Sequence, residues 1–263
     1  MTTVTYEQIL TETRGRVGII TLNRPDRLNA MTATMHRELR AQMRAWNVDD
    51  GIGAMVITGA GRGFCSGADI GGFEQAVSGD NPSSAETRPP ETEWDALVKA
   101  SKPILCAING VAVGEGITLT LPCDVRVASE EARLSFRFVR LGLTPEFGSS
   151  HYLSHLVGLG RAMELMLTGR FVLAGEAEAI GLVTHVYPAA EMLDKAVELA
   201  REIADGPSWQ LGQIKRMVHD HFLEPDIAAV LETERKVFAE ATSTEAHREA
   251  LRAFRERRAP KFH

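Results

Sequence analysis

The chain has 263 residues, 44% of them hydrophobic and 24% charged, with a formal net charge of −6. Such a composition supports a substantial core, as one large α/β domain or two small ones. The acidic balance argues against a general nucleic-acid binder, whose surface would be basic, and no apolar run approaches the roughly 18 residues of a membrane span.

Val4–Thr11 and Val17–Leu22 read as strands joined by a turn at Arg14-Gly15. Thr32 is placed to cap a helix in which Met35, Leu39, Met43 and Trp46 recur at helical spacing, ending near Asp49-Asp50-Gly51. The apolar run Ile52–Thr58 reads as a buried strand, and Gly59 to Asp69 as a Gly-rich loop. Residues 78–92, polar and Pro-rich, read as a mobile surface loop. Ile104–Ile108 is the next strand, Gly114 to Leu121 a short helix, and Val125–Ala128 a further strand. From Ser149 the pattern is mostly helical, interrupted by one short strand at Leu182–Tyr187. It ends in helices over roughly Glu191–Asp205, Trp209–His221, Pro225–Ala241 and Thr244–Arg257. Strands alternating with helices, then a helical tail, define an α/β fold with a C-terminal helical region.

The N-terminal MTTVTYEQIL has neither the basic nor the apolar part of a signal peptide, and PKFH is no peroxisomal address, so the expected compartment is the cytoplasm. Cys65, Cys106 and Cys123 form no C-x-x-C pair and read as small core hydrophobes of a reducing compartment. Gly59-x-Gly61-x-Gly63 does not complete G-x-G-x-x-G, no G-K-S/T occurs, and Ser66 falls one place off a G-x-S-x-G elbow. His151 and His155 stand at i,i+4 without an H-E-x-x-H context, so no metal site is expected there.

Two loops carry more chemistry. FCSGADI (64–70) and NGVAVGEG (109–116) each follow a buried strand, and the second runs straight into a helix. Backbone amides in such turns lack partners, and a helix N-terminus adds its dipole. Either loop alone reads as a structural turn. Two amides converging on one oxygen would make an oxyanion hole for an enolate or tetrahedral thioester intermediate.

The segments NRPDRLNAM (23–31), GRGFCSGADI (61–70), KPILCAINGVAVGEGITLTLPCDVRVAS (102–129), LGLTPEFGSSHYL (141–153) and LTGRFVLAGEAEAIGLVTHVYP (167–188) resemble the crotonase family of enoyl-CoA hydratases and isomerases in order and spacing. The ending FRERRAPKF resembles that family's last helix. The resemblance implies a spiral of β-β-α units over residues 1–200 and a helical oligomerisation region over 201–263, assembled as a trimer or a dimer of trimers. It implies an acyl-CoA thioester substrate, with coenzyme A as part of that substrate and no separate cofactor. It further implies an oxyanion hole from the amides of Ala68 and Glu115. An acyl-CoA channel would be lined by Ala68, Asp69, Ile70, Gly71 and Gly114, with Arg24, Arg27 and Leu28 near the CoA nucleotide.

Three departures matter. Glu115 stands where hydratases of the family carry glycine; its amide suffices for the hole, and its carboxylate is either a first-turn acid favoured by the helix dipole or a catalytic group. Thr118 and Phe138 stand where hydratases carry two glutamates, so the two-carboxylate arrangement for activating water and protonating carbon is absent. In exchange, Leu143-Thr144-Pro145-Glu146-Phe147-Gly148-Ser149-Ser150 resembles the S-P-E-G-x-S-S segment of peroxisomal-type enoyl-CoA isomerases. One base at Glu146, partly desolvated by Leu143 and Phe147, suffices for a 1,3-proton shift. The leading expectation is therefore a 3-enoyl-CoA to trans-2-enoyl-CoA isomerase. The alternatives are a hydratase using Glu146 or Glu115 in a non-standard way, and a non-catalytic acyl-CoA-binding oligomer. Ile227, Val230, Leu231, Val237 and Phe238, with Ala250, Leu251 and Phe254 on the next helix, form apolar stripes that need a partner surface. Arg255, Arg257, Arg258 and Lys261 either meet a neighbour's CoA phosphates or form a solvated basic tail.

Overall fold

The computed structural model describes residues 5–69 and 90–263. Strand β1 (Ile9–Arg14) is largely exposed and pairs antiparallel with β2 (Val17–Leu22). From β2 onward the sheet is parallel, adding β3 (Ala54–Gly59), β5 (Ile104–Ile108), β7 (Val125–Ser129) and β10 (His185–Tyr187) in the order β1-β2-β3-β5-β7-β10. A second sheet collects β4 (Gly63–Cys65), β6 (Val111–Val113), β8 (Arg133–Ser135) and β9 (Val172–Leu173) in the order β4-β6-β8-β9. Because β4, β6 and β8 follow β3, β5 and β7 directly, each of these turns lays one strand in either sheet before moving on. This is the mixed α/β spiral that the resemblance implied.

Near-continuous apolar strands are what a parallel sheet covered on both faces requires. Alternation along them divides the interior in two. Ile20, Leu22, Met55, Ile57, Ile104, Cys106 and Ile108 face one cluster together with α1 (Ala33–Asn47), which supplies Met35, Leu39, Met43 and Trp46. Val17, Ile19, Ala54, Val56, Leu105, Ala107 and Val127 face the other, closed by α7 (Met192–Ala204). Thr32 caps α1 as its position predicts, its hydroxyl accepting the Met35 N–H at 3.1 Å.

Several boundaries differ from the sequence pattern for identifiable reasons. Among the described residues the first strand starts at Ile9, because the N–H groups of Glu7 and Gln8 are taken by the Glu38 carboxylate, both at 2.8 Å; Val4, where the expected strand began, lies outside the described residues. The Gly-rich stretch 59–69 contains β4. Of the Pro-rich segment 78–92, residues up to 89 lie outside the described residues, and Glu91 opens an unforeseen helix, α2 (Glu91–Ala100), which buries Trp94 and Val98. The strand at 182–187 shortens to β10 because the amides of Leu182 and Val183 turn back to Ala177 O at 2.8 and 3.2 Å.

The helices α3 (Glu115–Thr118), α4 (Ser149–Val157), α5 (Leu159–Thr168) and α6 (Ala174–Ala179) fill the corners of the spiral. The last three are α8 (Ser208–His221), α9 (Ile227–Thr242) and α10 (Glu245–Glu256). Helix α9 begins after Asp226 rather than at Pro225, because the Asp226 carboxylate accepts the Ala228 N–H and caps it. These three helices bury only Lys215, Val237 and Ala253, while Ile214, Leu231, Phe238 and Phe254 remain exposed. Among the described residues, no helix is long and apolar enough to cross a membrane.

Candidate active site

Asparagines peg the Gly-rich loop in place. Asn29, fully buried with φ +55°, accepts the Arg24 N–H at 2.8 Å and donates to Ala60 O and Gly63 O at 2.9 and 2.8 Å. Asn109 accepts the Gly59 N–H and donates to Gly61 O and Gly63 O. The loop is then tied to the start of α1 by a parallel bridge between Met31 and Ala68, in which Met31 N–H bonds Gly67 O and Asp69 N–H bonds Met31 O. That pattern spends the groups flanking Ala68 and leaves Ala68's own N–H pointing to the opposite side.

The loop bearing Ala68 packs directly on the start of α3. A Cβ on Gly116 would sit 2.1 Å from Cys65 O, so only glycine permits this approach. Gly67, at φ +102°, brings its α-carbon so close that a Cβ there would lie 2.9 Å from Val113 O and 3.8 Å from Glu115 N. The two peptides proposed from the sequence are thus neighbours. Glu115 is the first residue of α3, where an N–H has no acceptor within the helix.

The Glu115 carboxylate turns inward. Its Oε1 lies 2.6 Å from His36 Nε2 on α1, and the two side chains are 1% and 4% exposed. Arg40, one turn further along α1, places Nη1 2.8 Å from His36 Nδ1 and its guanidinium 5.5 Å from the Trp94 ring centre. Sequence reasoning missed His36 and Arg40. Their signal was two polar residues at i,i+4 beside the apolar stripe Met35-Leu39-Met43.

Glu146 lies between Pro145 and the N-terminus of α4, half-buried. The next residue, Phe147, is buried, holds φ +53°, and stacks on His36 with ring centres 6.1 Å apart and planes within 6°. Leu143, expected to help desolvate Glu146, is instead exposed, because the turn closed by its N–H on Phe138 O leaves its side chain in solvent. Thr118 and Phe138 are buried, the Thr118 hydroxyl facing Glu115 O at 3.4 Å.

The residues associated with the nucleotide divide. Arg24 is engaged within the protein, its Nη1 donating to Ala30 O at 2.6 Å and pairing with Asp69 at 2.8 Å. Arg27 is exposed, and Leu28 takes φ +48° beside it. Gly114 donates its N–H to Ser135 O, which anchors the turn before α3. Ile70 and Gly71 lie outside the described residues.

Cys65 is no nucleophile, because burial pushes its thiol up to about 12 and the Glu115 charge adds to this. Cys106 is held well above its ordinary value by its contact with Cys123 and by burial. Among the described residues, no cluster of three or more His, Cys, Asp or Glu side chains is arranged to hold a metal.

A two-sheet spiral of this construction agrees with what known proteins show. A family profile described as enoyl-CoA hydratase/isomerase matches residues 12–263. A Rhizobium meliloti protein named "Probable enoyl-CoA hydratase" is 36% identical over 98% of this chain and 99% of its own length. The 1,2-epoxyphenylacetyl-CoA isomerase of Escherichia coli is 35% identical over 97% of this chain and 98% of its own. The crystal structure of enoyl-CoA hydratase from Bacillus anthracis superposes with a TM-score of 0.88 at 31% identity, covering 98% of this chain and all of that one. The chain belongs to the enoyl-CoA hydratase/isomerase family.

Proposed function

We propose that the protein is an acyl-CoA isomerase that shifts a double bond from the 3- to the trans-2-position of an enoyl-CoA, with Glu146 as its one proton carrier. The Glu146 carboxylate takes a proton from C2, and the electron pair moves into a dienolate. The oxygen of that dienolate is held by the amides of Ala68 and Glu115. The same proton returns at C4, so no water is consumed and Glu146 ends as it began. Arg27 and the loop around Leu28 meet the CoA nucleotide, and coenzyme A arrives as part of the substrate with no further cofactor. The working form is a cytoplasmic homo-oligomer, a trimer or a dimer of trimers, joined through α8 to α10.

The observation that carries this reading is the pair Thr118 and Phe138. Neither side chain ionises, so the carboxylate pair that hydration uses is missing while Glu146 remains. A second reading, an enoyl-CoA hydratase with Glu146 and Glu115 as acid and base, is favoured by the hydratase names among relatives. The Glu115–His36 contact counts against it, since it turns that carboxylate toward α1. Turnover of a 3-enoyl-CoA and, separately, of a trans-2-enoyl-CoA, with products identified by mass, separates them. Isomerised product without added water supports the isomerase, a 3-hydroxyacyl product supports the hydratase, and no turnover of either substrate leaves an acyl-CoA-binding oligomer.

A further inference from the structure

Glu115 is a buried carboxylate at a position where the proposed chemistry needs only the amide. Leaving a charge there is costly unless it is paired and hydrogen-bonded. The pairing is specific. A guanidinium has no acceptor, so Arg40 Nη1 donates to His36 Nδ1 at 2.8 Å, and Nδ1 must carry the lone pair. The other ring nitrogen, Nε2, lies 2.6 Å from Glu115 Oε1. Phe147 on one face of His36 and Trp94 against Arg40 fix the two side chains.

We propose that His36 and Arg40 are positioning residues for the reaction at the thioester: through the Glu115 side chain they hold the Glu115 peptide in register with Ala68, and they keep its carboxylate turned toward α1. The proposal rests on the oxyanion reading given above. Two observations carry it. Helix α3 has only four residues and follows Gly114 at φ +53°; the Gly114 N–H on Ser135 O anchors its start, and the Glu115 side chain adds a second attachment, to α1. Moreover, an unpaired carboxylate on the residue whose amide binds the oxyanion would repel the charge that develops there. The contact with His36 holds that carboxylate toward α1.

The test uses the full-length enzyme with hexanoyl-CoA, a saturated thioester that cannot isomerise, carrying carbon-13 at the carbonyl. Its carbonyl stretch, read by difference infrared on binding, reports polarisation by the two amides. In the wild type the band moves to lower frequency. His36→Leu should lose most of that displacement and lower kcat about 10- to 100-fold, with KM little changed, as expected when an oxyanion donor is misplaced. His36→Gln, whose amide N–H can still reach Glu115, should recover most of both. Glu115→Gly removes tether and carboxylate together and serves where His36→Leu does not fold; it should also show a reduced displacement and lower kcat. A full displacement with wild-type kcat in folded His36→Leu or Glu115→Gly overturns the positioning role. No displacement in the wild type overturns the oxyanion reading itself, and this proposal with it.

Discussion

The Glu91 carboxylate, in the first turn of α2, accepts the backbone N–H of Phe147 at 2.7 Å across 56 residues of sequence. Phe147 needs this support, because a bulky residue at φ +53° is strained by about 1–3 kcal/mol. With its amide held by Glu91 and its ring stacked on His36, Phe147 is fixed by α2 and α1 together. Glu146 is the adjacent residue, so its backbone is set by two helices rather than by a free loop.

On the isomerase reading, Glu146→Gln should abolish most turnover of a 3-enoyl-CoA, by about 100- to 10,000-fold, the usual loss of one general base. Affinity for a saturated acyl-CoA, measured by calorimetry, should stay close to wild type because the amides remain. Wild-type rates in this variant would remove Glu146 from the chemistry.

Hydration of crotonyl-CoA should be weak beside isomerisation of a 3-enoyl-CoA, measured on one preparation. Robust hydration with no isomerisation would reverse the assignment. Thr118→Glu with Phe138→Glu restores two carboxylates, but both positions are buried. Even if hydration rises, thermal stability should fall, because each new carboxylate enters an apolar setting.

Acid should weaken the fold through Asp124. Burial alone would raise its carboxyl, but contacts with His219 and Lys215 and the Ile104 N–H outweigh this and hold it below the usual carboxylate range. Lys215 Nζ donates to it at 2.8 Å and Ile104 N–H at 2.7 Å. A carboxyl depressed in the folded state stabilises above its unfolded value, roughly 3.9, and loses that contribution as pH falls toward the folded value. Urea midpoints of the wild type should therefore fall below about pH 5, and the difference from Asp124→Asn should shrink there. At neutral pH the variant should be less stable by about 1–3 kcal/mol. A difference that does not change with pH would refute this role.

The exposed apolar residues of α8 to α10 lead to an expectation about assembly. Light scattering should give a trimer or hexamer of the 28.8 kDa chain, and deletion after Ala241 should remove assembly and activity together. An active monomer indifferent to the deletion would defeat the claim.

What the sequence revealed was whatever is encoded locally. The Thr32 cap, the strand Ile104–Ile108 and the two Gly-containing loops each carry their signal within a few residues, and each forms where expected. Strands β6 and β8 did not, since three residues are too few to show a period and their pairing joins separate turns of the spiral. Helix α2 was hidden because its acidic first turn continues a polar, Pro-rich run, although Trp94 and Val98 at i,i+4 mark its buried face. Within the site, the Gly67–Glu115 proximity was legible from motifs. The partners of Glu115 were not, because nothing near position 115 points to a histidine on α1.

Asn29 and Asn109 donate to the same carbonyl, Gly63 O, at 2.8 and 3.2 Å. The loop carrying Ala68 is therefore latched only when three stretches, each some thirty or more residues apart, have already met. Contacts of such long range are among the slowest to form. During refolding, catalytic competence should consequently trail the appearance of helix, and under mild denaturant it should be among the first properties to disappear while most of the β-sheet persists.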